Sequence, residues 1–81
     1  MCYIYILKSL RNNKRYVGST KGSPAERLKQ HNYGSNKWTK QNKPFKLVYS
    51  EKHKSATEAR KREHFLKSGV GRQEVGKILG G

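Results

Sequence analysis

The chain opens on an apolar run, Cys2-Tyr3-Ile4-Tyr5-Ile6-Leu7, rich in the aromatic and branched residues that favour strands. It is far shorter than the roughly 18 apolar residues of a membrane span. It also lacks the basic flank and small-residue cleavage site of a secretory signal. The run reads as a strand. Residues 9–14, with Asn12-Asn13 inside them, carry turn chemistry, and residues 15–19 supply a second strand. A hairpin at the start of the chain therefore sets Tyr5 and Tyr16 on neighbouring strands.

Two helix starts follow. In Ser23-Pro24-Ala25-Glu26 the serine is an N-cap, the proline takes the first helical position and the glutamate completes a capping box. This helix should reach about Asn32 and stop near Gly34, a residue suited to a left-handed cap. Pro24, Leu28 and His31 share one of its faces, and Arg27 and His31, four apart, are neighbours. Residues 35–43 carry Lys37, Trp38, Lys40 and Lys43 among polar residues before Pro44, which predicts an exposed basic loop holding one aromatic ring. A third strand is expected over residues 45–51.

Ser55-Ala56-Thr57-Glu58 repeats the capping box and opens a second helix, expected to run to about Lys67 and to be closed by Gly69. Ala56, Ala59, Glu63 and Leu66 advance by three, four and three, so a carboxylate interrupts an inward stripe of small and apolar residues. Val70, Val75, Ile78 and Leu79 could pack a short last helix against the sheet. The fold class is α+β, one domain over residues 1–81 in the order β-β-α-β-α, with that C-terminal helix as an option.

Charge narrows the partner. Lysine and arginine total 19 against 5 acids, a net charge of +14. Self-repulsion of that size points to a polyanion, nucleic acid first, because each neutralised phosphate releases counterions. DNA is expected ahead of RNA. A membrane surface is disfavoured, since no stripe of large apolar residues lies opposite a basic face. The single Cys2 cannot form an internal disulfide, so a cytoplasmic setting fits. One cysteine with His31, His53 and His64 at irregular spacing also argues against zinc. Only 32% of the residues are hydrophobic, so the core must be modest and the stability marginal.

Candidate chemistry centres on Glu63. An acid on an inward stripe needs a cation, a hydrogen-bond network or a shifted pKa. A bound Mg²⁺ would serve, and so would Arg27 or another basic side chain. Arg27 and His31 could face a phosphodiester, one bonding its oxygens and the other moving a proton, or they could be a solvated pair. Trp38 among lysines could stack a base. Tyr3, Tyr5 and Tyr16, taken alone, suit strand packing.

Their order in the chain adds to this. Tyr3-Ile4-Tyr5, the triplet Tyr16-Val17-Gly18 eleven residues on, Arg27 and His31 on a helix, and Glu63 on a later one together resemble the GIY-YIG nuclease family, in its small, single-domain form akin to the N-terminal module of excinuclease C. Gly18-Ser19-Thr20, the segment Leu47-Val48-Tyr49 leading to Glu51, and the spacing of Ala59, Glu63 and Lys67 extend the likeness over nearly the whole chain.

The resemblance implies a three-stranded antiparallel sheet flanked by helices. It also implies a metal-dependent endonuclease that hydrolyses DNA phosphodiester bonds in repair, recombination or processing, with one Mg²⁺ or Mn²⁺. Tyr5 and Tyr16 would lie together, Arg27 would steady the scissile phosphate, His31 would take part in proton transfer and Glu63 would anchor the metal. Gly18 would let the backbone bend or a ligand approach beside Tyr16. A protein partner that selects the substrate is part of the same expectation. Two departures stand out: Tyr3 replaces the first glycine of the family name, and no asparagine follows Glu63, where some members have one near the site. The alternative is a noncatalytic basic module that binds DNA or RNA.

Overall fold

The computed structural model describes residues 2–34 and 37–80. Three strands, β1 (Cys2–Ser9), β2 (Arg15–Thr20) and β3 (Phe45–His53), form an antiparallel sheet in the order β2-β1-β3. The opening run is thus the central strand, and period-two alternation explains its all-apolar character: both faces are covered. Tyr5 and Leu7 point to one side with Phe45, and Ile4 and Ile6 point to the other with Val17. The hairpin turn uses its asparagines as expected. Asn13 takes the left-handed conformation at φ 61°, and the Asn12 side chain accepts from the Lys14 amide.

Helix α1 (Pro24–Tyr33) covers the Tyr5 face and α3 (Ala56–Lys67) covers the Ile4 face. Gly34 ends α1 in the left-handed region, as its position predicts. Of the two expected capping boxes, the serine halves are present: the Ser23 hydroxyl accepts from the Ala25 amide and the Ser55 hydroxyl from the Glu58 amide. The inward stripe of α3 is also borne out, with Ala59 and Leu66 fully buried.

Three expectations need correction. The basic stretch before Pro44 is not a loop from Lys37 onward; it forms a short helix, α2 (Lys37–Asn42), while Ser35 lies outside the described residues. Polar residues buried by tertiary bonds hold this helix down. The Ser9 hydroxyl donates to the Asn42 carbonyl at 2.5 Å, and Asn42 bonds Asn12 and the Trp38 carbonyl. Gly69 does not close α3 either. Ser68 is at once the C-cap of α3 and the N-cap of α4 (Gly69–Ile78), donating to the Phe65 carbonyl and accepting from the Gly71 amide.

The close junction requires Gly71, where a Cβ would fall 1.7 Å from the Phe65 carbonyl oxygen. Finally, the optional C-terminal helix is present as α4, and Val75 and Leu79 join the core with Ile4, Ile6 and Val17 as expected, but α4 packs chiefly on α3 and Val70 is 69% exposed.

Candidate active site

Tyr5 lies in the buried centre of the sheet and Tyr16 on the edge strand, half-buried, with ring centroids 6.2 Å apart. The register pairs Tyr5 with Gly18. An ideal Cβ at Gly18 would stand 2.5 Å from the Tyr5 hydroxyl and 3.0 Å from Tyr16 Cε1. The close approach expected beside Gly18 is therefore made by Tyr5 itself, with its hydroxyl at the edge strand.

Helix α1 brings two more predicted residues to the same place. Arg27 Nε donates to the Tyr5 hydroxyl at 3.4 Å, and its Nη1 donates to Gln30 Oε1 at 2.8 Å. His31 is 3% exposed, and its ring is enclosed by those of Tyr16, Tyr5 and Phe45 at 4.7, 6.1 and 6.1 Å. Its Nδ1 is 2.8 Å from the Arg27 carbonyl. A carbonyl only accepts, so Nδ1 carries a proton, and Nε2 is the acceptor whenever the ring is neutral. The two are thus not a free surface pair: Arg27, half-buried, meets the tyrosine hydroxyl, and His31 is buried behind both rings.

Glu63 reaches the edge strand from the other face. Its Oε1 accepts from the Ser19 hydroxyl at 2.6 Å and its Oε2 from Lys67 Nζ at 2.7 Å, with the side chain 22% exposed. Burial pushes its carboxyl up, but the bonds from Lys67 and Ser19 and the charges of Lys67 and Arg60 outweigh that, leaving it below the usual carboxylate range. Its cation is Lys67, not Arg27. Lys67 Nζ also stands 5.8 Å from the Tyr16 ring centroid, linking the carboxylate to the aromatic half of the site.

Sequence reasoning did not place Ser19 or Lys67 among the site residues. The i,i+4 spacing from Glu63 was a readable signal for Lys67. Ser19 becomes visible only once the register is known.

The phenol of Tyr5 is raised. Burial is the main cause, the bond from Arg27 offsets part of it, and Tyr16 and Glu63 push it further up. Among the described residues no three His, Cys, Asp or Glu side chains group into a metal cage. A cation here would rest on Glu63 alone and keep most of its waters, which suits Mg²⁺, an ion that dehydrates reluctantly.

The basic stretch lies on α2 and just beyond it. Lys37, Lys40 and Lys43 are exposed, as a nucleic-acid contact would need. Trp38 is not free in a loop. It is half-buried between Phe45, stacked at 5.5 Å and 22°, and Tyr16, tilted at 5.5 Å and 37°. Its first role is packing beside the site.

The sequence matches the model of the GIY-YIG catalytic domain over residues 1–74. It is 38% identical over 78 residues to a UPF0213 protein of Staphylococcus haemolyticus, covering 95% of this chain and 92% of that one. A UPF0213 protein of Clostridium perfringens is 40% identical over 68 residues, 83% of this chain and 71% of that one. The solution NMR structure of a UPF0213 protein from Bacillus halodurans superposes with a TM-score of 0.57 at 30% identity, covering all of this chain and 88% of that one.

Proposed function

We propose, from the premise that the chain belongs to the GIY-YIG family of nucleases, that it is a metal-dependent endonuclease hydrolysing DNA phosphodiester bonds. The observation that carries this reading is the bond from Arg27 to the Tyr5 hydroxyl, with Tyr16 alongside and Lys67 tying Glu63 to the same edge strand.

In this reading Arg27 bonds the non-bridging oxygens of the scissile phosphate and neutralises them. Tyr5 is fully buried and keeps its proton in the free protein, so its hydroxyl would orient the attacking water only once Arg27 turns from it to the phosphate. It gives up that proton only as positive charge gathers around it. His31, packed edge-on against the Tyr5 ring, would take the proton onward through a bridging water. Tyr16 orients phosphate or water. Glu63 would hold one Mg²⁺ or Mn²⁺ once Lys67 releases Oε2. The ion, when bound, would stabilise charge on the phosphate and the leaving oxygen. The net charge of +14 supplies non-specific attraction to the strand. Repair, recombination or processing of DNA in the cytoplasm, with a protein partner that selects the substrate, completes the reading. No helix among the described residues is long and apolar enough to cross a membrane.

The test is to incubate labelled duplex, flap, fork and single-stranded DNA, and RNA, with Mg²⁺ or Mn²⁺, using Glu63→Ala and Tyr5→Phe as controls. Metal-dependent cutting of DNA is expected, abolished by Glu63→Ala and slowed about 10²–10⁴-fold by Tyr5→Phe. Binding without cutting in either metal would instead favour a noncatalytic nucleic-acid-binding module.

A further inference from the structure

Beside Tyr16 lies a groove of about 740 Å³ between the hairpin, α2, α3 and α4. Its cations come from three separate elements: Lys14 and Arg15 from the hairpin, Lys67 from α3 and Arg72 from α4. Among the described residues none that lines it is acidic. Its depth is apolar, formed by Val17, Leu66 and Val75, with Trp38 and Tyr16 as aromatic walls. The volume falls within the roughly 300–1,000 Å³ of small-ligand pockets.

A cationic rim over an apolar floor matches a particular ligand. The outside of a continuous duplex offers phosphate and sugar, so the floor would gain nothing from it. An unpaired nucleotide offers both parts, an anionic backbone for the rim and a base for the floor.

We propose that this groove seats an unpaired nucleotide next to the scissile phosphate, its flanking phosphates held by Lys14, Arg15 and Arg72, so that the preferred substrates carry single-stranded nucleic acid beside the cut. The position of the cut rests on the nuclease reading; the groove as a single-strand binding site does not. Tyr16 joins the two, since it belongs both to the tyrosine pair and to the groove wall. The exposed lysines of α2 then serve as a second contact.

The experiment measures fluorescence anisotropy of a labelled single-stranded oligonucleotide, and of its duplex, in EDTA, so that no cutting intervenes. Three proteins are compared over a series of salt concentrations: wild type, the triple variant Lys14→Ala/Arg15→Ala/Arg72→Ala, and the control triple Lys46→Ala/Lys52→Ala/Lys54→Ala. All six positions are exposed, and both triples remove three charges.

Each phosphate neutralised on a single strand contributes about 0.7 to the salt slope, so the groove triple should lose about 2 from that slope. A fourfold rise in salt would then cost it about 20-fold less affinity than wild type. The control triple should keep most of the slope, and duplex should bind wild type more weakly than single strand. Should the groove triple fold poorly, Arg72→Ala alone should lose about a third of that change. Equal slopes for the two triples, or tighter binding of duplex, would overturn the proposal. If wild type shows the groove-dependent slope yet never cuts with Mg²⁺ or Mn²⁺, the groove stands and the nuclease reading falls.

Discussion

The hydroxyl of Tyr5 fills the space where Gly18 would carry a side chain, an ideal Cβ lying 2.5 Å from the oxygen and 2.6 Å from Cζ. Tyr5 is fully buried and has no room to step aside. Gly18→Ala should therefore overpack the site and cost about 1–3 kcal/mol. In a chain of this size that lowers the melting temperature by roughly 4–8 °C per kcal/mol. Adding Tyr5→Phe should not restore it, because Cζ still clashes. A melting temperature equal to that of wild type would show that the sheet yields at this point.

Tyr5 holds its proton more tightly than a free tyrosine, chiefly through burial and despite Arg27. If its phenolate is the base, the base form is scarce at neutral pH and grows as pH rises. Measured at limiting substrate, where the cleavage rate reports groups of the free protein, its logarithm should then climb without levelling off below 10, the unshifted value. Tyr5→Phe should remove that slope and about 10²–10⁴ of the rate, the usual range for a general base. A plateau near neutral pH that survives Tyr5→Phe would assign the base elsewhere.

Trp38 packs between Phe45 and Tyr16, whereas Lys37 and Lys40 on the same helix are exposed. Trp38→Ala should destabilise the protein by about 1–3 kcal/mol, less than the loss of a fully buried ring because Trp38 is half-buried. The double variant Lys37→Ala/Lys40→Ala should melt like wild type and bind nucleic acid more weakly at low salt. Thermal unfolding separates the two outcomes. If Trp38→Ala kept the full melting temperature and lost only binding, Trp38 would be a stacking platform after all.

Lys67 occupies the Glu63 oxygen that a metal would use. Lys67→Met keeps the aliphatic stem and frees that oxygen. Since a partly exposed i,i+4 pair is worth about 0.2–1 kcal/mol, Mn²⁺ should bind up to about fivefold tighter, as read by calorimetry. The same variant should bind single strands less well, because it removes a groove cation. Weaker Mn²⁺ binding would mean that Lys67 orients Glu63 for the ion instead of competing with it.

Much of this was readable in advance, and the reasons are local. The hairpin, the two serine caps and Gly34 rest on chemistry within a few residues of themselves, and they appear where the spacing puts them. The inward stripe of α3 followed from helical periodicity alone. What the sequence hid depends on long-range contacts. Helix α2 looks like a polar loop because Asn42, which bonds Ser9 and Asn12, owes its burial to residues some thirty positions away. Ser68 and Gly71 resemble a helix stop, and only their fit against Phe65 makes them a junction between two helices. The groove joins Lys14, Arg15 and Arg72 from opposite ends of the chain, so no spacing rule could have grouped them.

The most direct test concerns Glu63, whose carboxylate bonds Ser19 of the edge strand. One acid holds the ion while many cations hold the strand, so Glu63→Ala should abolish metal-dependent cleavage and leave most DNA binding in EDTA intact. Cleavage by Glu63→Ala at the wild-type rate, in Mg²⁺ or Mn²⁺, would contradict the assignment of the metal to this residue and with it the proposed active site.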